Sequence, residues 1–477
     1  MLLHTPAYLL FLLAVIPAYW LLPSGYRKPF LLLISYGFYA AFDLRFLALV
    51  IGWTLANYFL GRAILGNLHA RPLAWFSVLL NLVVLALFKW EGFFIDSLRL
   101  TFQALGFASL PVGLQFLLPI GISFYSFQAI AYTTEIYRKK LQPASLLDFA
   151  IYMSFFPKLL AGPLVRPAQF LSQLSQPSTR PDRNGFQAAL GLLLLGLLKK
   201  VVIADSLASL CEVAFRAAAR EKGALLFPGA LYWQGFYLYS FLIYADFSGY
   251  TDIARSSAAL LGFSLPENFR QPYLSENIMI FWNRWHMSMT QWFREYLFFP
   301  LSRGLLVKAG RRYARLVQII VTLITMTLIG IWHGVAWTFV AWGVWHGLLL
   351  SVNQQLGWSL ERRWQKLALG VLTFHLVGVG WVFFGSSSME AAGRFLRGML
   401  NFSGPQAWGY FLPPVLLCAF LVFSIDLVQA GFVRLPALLQ PAAKPVLIVA
   451  SIVLLICLAL IYQAKGGDAR PFIYGQF

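Results

Sequence analysis

Charge is what this chain has least of. Asp, Glu, Lys and Arg make up 12% of its 477 residues, about half the share of a soluble globular domain. The 59% of the sequence that is hydrophobic exceeds what a water-soluble fold of this length can hide. A soluble enzyme is thereby excluded, and a polytopic membrane protein is expected, read as one membrane domain over 1–477. Acidic residues are scarcer still, 18 against 37 basic ones, for a net charge of +19. In a soluble chain that excess would suggest nucleic acid. Here Arg27-Lys28, Arg138-Lys139-Lys140, Lys199-Lys200 and Lys308 to Arg315 fit cytoplasmic loops lying on anionic lipid, and no nucleic-acid partner is expected. Cys211, Cys418 and Cys457 are few, scattered and without a C-x-x-C pair, which argues against a disulfide framework or a cysteine zinc site; no metal is expected. Phosphate-binding glycine loops, a G-x-S-x-G elbow and H-E-x-x-H are all missing, as is an inverted repeat of the transporter kind. The first apolar run, Pro6–Leu22, has neither a basic leader nor a small-residue cleavage signature and reads as a retained helix.

What is present is a series of apolar stretches, and a span needs about 20 such residues. After Pro6–Leu22 comes Pro29–Leu60, which Asp43 and Arg45 divide into two helices. Gly61–Pro72 reads as a cytoplasmic loop and Leu73–Phe88 as a span with Lys89 and Glu91 at its end, placed to snorkel or pair. Leu114–Tyr132 and Phe149–Leu160 come next. Ala161-Gly162-Pro163 then stops the helix, since proline removes a donor and glycine weakens the pattern. Gln169–Gly185 is polar and loop-like. Phe186–Leu198 ends on Lys199-Lys200, a membrane-exit signal, and Phe227–Phe263 is interrupted by Asp246, Gly249 and Asp252. Leu316–Ile331, Trp337–Val352, Leu367–Phe384, Phe411–Asp426 and Pro445–Ile461 bring the expected total to about eleven spans. The aromatic end, Pro471 to Phe477, is expected to pack back on the bundle. The motif-bearing core covers about 114–350 and the C-terminal helices about 367–464.

Chemistry concentrates in I-W-H-G-V-A-W-T-F-V-A-W-G-V-W-H-G, from Ile331 to Gly347. An ionisable ring in an apolar span usually faces a cavity or the bundle interior. A neutral imidazole can take a proton from a hydroxyl near neutral pH, so His333 is the candidate base, with an interfacial histidine satisfied by a carbonyl as the alternative. His346 lies thirteen residues on, about 20 Å along a continuous helix, and is expected to be structural, or to support the site from behind if the chain turns near Gly343. Phe281 to Arg303 interleaves aromatics and charges. Phe281, Trp285, Met289, Trp292 and Tyr296 recur at helical spacing, with Arg284, Ser288, Gln291 and Glu295 opposite, and His286 flanks that stripe. Intramembrane Asp246 and Asp252 would suit a proton relay, though Arg255 stands three residues from Asp252, as a local ion pair would have it. Two classes stay open on the residues alone: a transferase working through a histidine base and a proton-coupled transporter.

Several segments together resemble one family, the bacterial membrane-bound O-acyltransferases (MBOAT), in the branch containing the alginate O-acetylation protein AlgI. They are L-P-I-G-I-S-F-Y-S-F-Q from Leu118, F-F-P-K-L-L-A-G-P-L-V-R from Phe155, L-K-K-V-V-I-A-D from Leu198, Y-A-D-F-S-G-Y-T-D-I-A from Tyr244, P-E-N-F-R-Q-P-Y from Pro266, F-W-N-R-W-H-M-S from Phe281, and the W-H-G stretch from Ile331. The resemblance implies an all-α ring of helices around a cytoplasmic funnel and a narrow central tunnel. It implies His333 as the catalytic histidine and His286 as the second active-site residue. Trp332, Trp285, Asn283, Arg284, Ser288 and Asp246 are then expected to line the substrate path, and Arg284, Arg294 and Lys199-Lys200 to meet donor phosphates. The implied activity is O-acetylation of an exported polysaccharide such as alginate or cellulose in the bacterial inner membrane. The implied donor is acetyl-CoA, and extracytoplasmic partners would complete delivery. A carrier-bound thioester and D-alanyl or other acyl transfer onto teichoic acid or peptidoglycan form the alternative. The sequence departs from the family pattern at Glu135, at Gly385 and at Leu301-Ser302-Arg303-Gly304.

Overall fold

A computed structural model describes residues 2–90, 102–103, 119–176, 179–220, 227–356, 362–404 and 407–429. Within them every regular element is a helix, as hydrocarbon demands of a chain that must satisfy its own backbone groups. Six helical stretches are long and apolar enough to cross a membrane: Leu44–Ile64, Ala70–Trp90, Arg183–Ala219, Arg311–His333, Arg363–Gly385 and Ala407–Asp426. The chain is thus an all-helical, multi-pass membrane protein. The expected span Pro445–Ile461, the aromatic end, Glu91, Cys457 and the first residues of Leu114–Tyr132 lie outside the described residues.

The chain divides into two compact units, one of Met1–Leu193 with Thr251–Pro266, the other of Leu194–Tyr250 with Glu267–Phe477. The first begins with α1 (Pro6–Leu21), α2 (Ser24–Ala40), α3 (Leu44–Ile64), α4 (Ala70–Leu85), α5 (Ile122–Tyr137), α6 (Leu146–Ser154) and α7 (Pro167–Ser175). Asp43 separates α2 from α3 as expected. Its carboxylate accepts the Arg45 backbone N–H at 2.8 Å and pairs with that residue's guanidinium at 2.7 Å. Between α3, α4 and α5 runs a buried polar ladder. Asn81 Nδ2 donates to Asn57 Oδ1 and Ser77 Oγ to Thr133 Oγ1, each at 2.9 Å. Such bonds hold helices together where lipid removes the hydrophobic drive to associate. A single turn, Phe156–Leu159, precedes the expected stop at Ala161-Gly162-Pro163. That irregular stretch is buried, the condition under which non-helical backbone survives at membrane depth.

The second unit takes in α9 (Asp205–Ala219), α10 (Gly229–Leu260) up to Tyr250, α11 (Ile278–Arg284), α12 (Met287–Phe293), α13 (Phe299–Ala309), α14 (Ala314–His333), α15 (Trp337–Leu356), α16 (Arg363–Gly385), α17 (Met389–Gly398) and α18 (Ala407–Gln429). Between α7 and α9 lies α8 (Arg183–Leu197). Ala214, Ala217 and Ala218 of α9 pack with Tyr232 and Phe236 of α10, Val382 of α16 and Phe395 of α17 in one apolar cluster.

Three expectations are corrected. Gln169–Gly185 is not loop throughout: α7 runs to Ser175, started by Pro167 and seated on Phe170, Leu171 and Leu174. Lys199-Lys200 is no membrane exit. The helix continues through a wide turn, Leu198–Ala204, into α9, and both lysines are buried. Lys200 Nζ lies 3.0 Å from Asp205 and 2.6 Å from Asp246. Carboxylates near and far in sequence neutralise a charge that would otherwise have to leave the bundle. The aromatic stripe from Phe281 is not one helix either, since the chain breaks at Trp285 and His286.

Candidate functional site

The site's frame is the hairpin of α14 and α15. Helix α14 ends on His333; Gly334 is extended and the chain turns through Val335-Ala336 into α15. The two helices lie backbone to backbone. A Cβ added at Gly330 would stand 2.2 Å from the Phe339 carbonyl oxygen, and one at Gly343 2.5 Å from that of Met326. Only glycine permits this approach. It delivers Trp342 edge-on to His333, ring centroids 5.1 Å apart, while Trp332 and Phe384 close on the imidazole at 4.7 and 5.4 Å. His333 is 4% exposed.

The same turn overturns the distance argument about His346. No continuous helix joins the two histidines. His346 stands one helical turn past Trp342 on α15, 4.9 Å from its ring, and Trp342 in turn meets His333; Trp282 and Trp381 enclose His346. Neither of its nitrogens has a hydrogen-bond partner among the described residues.

His286 joins α11 to α12 in a left-handed conformation, φ 42° and ψ 52°, fully buried. A side chain there costs about 1–2 kcal/mol against a right-handed turn, so its surroundings must impose it. They do so from both flanks. The Met287 N–H donates to the Asn268 carbonyl at 2.9 Å and the Arg270 N–H to the Arg284 carbonyl at 3.0 Å. The Ser288 N–H donates to Asn268 Oδ1 at 3.2 Å. The His286 ring packs on Phe247 at 4.6 Å and faces Trp332 at 6.4 Å. Both expected histidines, 47 residues apart in the sequence, thus flank Trp332 in one unit of the fold.

The other expected residues separate into groups. Trp332 is between the histidines. Ser288, placed on the polar side of the stripe by spacing, is buried beside His286, because the break at His286 rotates the helix that begins at Met287. Trp285 lies in the aromatic core instead, 4.8 Å from Trp381 and 5.0 Å from Phe269. Asn283 is exposed and accepts from Arg294 at 2.7 Å; Arg284 donates outward to the Leu274 carbonyl at 3.3 Å. Asp246 is held by Lys200, and its chain neighbour Phe247 packs on the His286 ring. Asp252, in the other unit, has Arg255 at 3.5 Å, the pair the spacing suggests. Sequence spacing alone missed Asn268, Phe247, Trp342 and Phe384. Asn268 was visible only as a member of the P-E-N-F-R-Q-P-Y segment.

Two buried imidazoles set among aromatic rings suit proton transfer from a hydroxyl to a base beside an electrophilic acyl group. Comparison with known proteins agrees on the class. The profile of the membrane-bound O-acyltransferase family matches residues 31–364, and the chain belongs to that family; it is an O-acyltransferase. It is 36% identical to the probable alginate O-acetylase AlgI of Pseudomonas aeruginosa over 402 residues, 82% of this chain and 73% of the relative. A peptidoglycan O-acetyltransferase of Helicobacter pylori is 31% identical over 85% of this chain and 80% of its own length. A teichoic acid D-alanyltransferase of Streptococcus thermophilus is 30% identical over 56% and 68%.

Proposed function

We propose that this protein passes an acetyl group from cytoplasmic acetyl-CoA to an exported polysaccharide in the bacterial inner membrane, with His333 as general base and His286 as its companion. The convergence of the two imidazoles on Trp332 carries this reading. His333 takes the proton of the acceptor hydroxyl as its oxygen bonds to the acyl carbon. The carbon–sulfur bond breaks, and the departing thiolate receives the proton. The aromatic surround's work is to bring the two substrates together and keep water, the competing nucleophile, away. The reading requires a cytoplasmic entrance for the donor and a way through to the far side for the acceptor or an acetyl-carrying partner protein. AlgI as a relative favours an alginate-type acceptor. The peptidoglycan and teichoic acid relatives keep cell-wall polymers, and D-alanine as the transferred group, as the second reading. A proton-coupled transporter has lost its motivation, since Asp246 and Asp252 are each paired with a cation.

Mass analysis of the exported polymer tests both. Cells with the parent protein should carry acetyl esters, and His333→Ala, at equal membrane abundance, should carry none. Acetylation retained in that variant removes His333 from the reaction, and D-alanyl esters in the parent would select the second reading.

A further inference from the structure

We propose that Asn268 is a further residue of the transfer site: its side-chain N–H donates to the acyl carbonyl oxygen, while its two oxygens hold His286 in place. The assignment rests on the acyl-transfer reading above. Asn268 is 1% exposed and precedes α11 in an irregular stretch. Two of its polar groups are engaged with the turn at His286. The main-chain oxygen accepts from Met287, and Oδ1 accepts from Ser288.

Because a backbone N–H can only donate, the Ser288 contact fixes which end of the carboxamide is oxygen. The other end, Nδ2, is therefore a donor. It is buried and has no partner among the described residues. An amide N–H left so costs about 1–3 kcal/mol. The rings around His286, those of Phe247 and Trp332, and the adjoining Phe269 offer no acceptor. An acceptor brought by a substrate would give Nδ2 the partner it lacks among the described residues.

Of the substrate atoms, the acyl carbonyl oxygen fits a donor-only group. The attacking hydroxyl needs a base, which an amide N–H cannot supply. The carbonyl oxygen is a pure acceptor, and it gains negative charge as the hydroxyl oxygen bonds to carbon. The electron pair of the C=O bond moves onto that oxygen, held by Asn268, while the hydroxyl proton goes to His333. When the pair returns, the carbon–sulfur bond breaks and the thiolate leaves with that proton. A preorganised donor aimed at developing charge is commonly worth about 10²–10³ in rate.

Asn268→Asp separates the two roles. It keeps an oxygen for Ser288 and removes the N–H. In purified full-length protein at neutral pH, kcat for acetyl transfer should fall about 100-fold with little change in KM for acetyl-CoA. The ratio of its activity to the parent's, measured at each pH so that loss of the histidine base cancels, should rise as pH is lowered, because a protonated carboxyl regains an O–H donor. A purely structural role would give no such recovery. A rate within about threefold of the parent at neutral pH would overturn the assignment, being far short of one lost oxyanion donor. His333→Ala is run beside it: full activity there would instead defeat the underlying reading. Should the aspartate variant fail to accumulate, infrared spectra of [1-¹³C]acetyl-CoA bound to His333→Ala protein decide the matter. The carbonyl stretch should lie below that of free acetyl-CoA, and an unshifted band overturns the proposal.

Discussion

At His286 the backbone and the chemistry compete for the same residue. Among the described residues, Lys139, Gln271 and His286 are the side chains other than glycine with positive φ, and of these His286 is buried. A local cost of about 1–2 kcal/mol is tolerated where Asn268 and the aromatic rings dictate the turn, a pattern associated with functional sites. The strain gives a test that does not depend on activity. His286→Gly and His286→Ala both remove the imidazole and leave nearly the same cavity, but only alanine keeps a Cβ in the left-handed region. The glycine variant should be the more stable by about 1 kcal/mol, the reverse of the usual helical order, and both should lose transfer. Thermal unfolding in detergent measures it. Equal stability, or a more stable alanine variant, would mean that the turn is not strained by its side chain.

Among the helices, the α14–α15 hairpin and the wide turn after α8 decide where the site residues stand. Gly343→Ala places a methyl against the Met326 backbone. That contact has no flexible side chain to yield, so the hairpin must open and Trp342 must move from His333. Membrane abundance and transfer should both drop sharply, whereas Gly304→Ala in α13, with open space at its Cβ, should change neither. Lys200 tests the other element. Lys200→Met leaves Asp205 and Asp246 buried without their cation and should destabilise the protein by about 3–5 kcal/mol; adding Asp205→Asn and Asp246→Asn should return much of that loss. If the single variant is as stable as the triple one, the buried ion pairs are not what fixes this turn.

These elements also show what the sequence could and could not reveal. The helical class, the break at Asp43 and the stop at Ala161-Gly162-Pro163 were legible, because each comes from local propensity and hydropathy. His333 and His286 were legible as ionisable rings in apolar surroundings, and their motifs joined them to one family. The burial of Lys200 was not, because one of its partners, Asp246, lies far along the chain. Nor was the way Trp342 links His346 to His333, since a turn at Gly334 to Ala336 and a continuous helix present the same apolar pattern. The left-handed step at His286 is imposed by Asn268, which no helical projection of Phe281 to Arg303 contains.

For the whole molecule, the uneven charge bears on which side of the membrane each substrate meets. Arg303, Lys308, Arg311, Arg312 and Arg315 crowd the approach to α14, and no acidic residue occurs from Tyr296 to Leu360. Segments so basic stay on the cytoplasmic side. From Arg315 the helix runs to His333, about 27 Å at 1.5 Å per residue, close to the thickness of a bilayer's hydrocarbon core. On the proposed function, His333 would then stand toward the far side, within reach of an exported acceptor, and the acyl group of a cytoplasmic donor would have to cover most of the depth. In a background with Cys211, Cys418 and Cys457 replaced by alanine, Arg311→Cys should react with an impermeant maleimide only in inverted vesicles. Val335→Cys, at a position 40% exposed just beyond His333, should react from the outside of intact spheroplasts. Labelling of both positions from one side would mean that α14 does not cross, and the acyl group would then have to travel by another route to meet its acceptor.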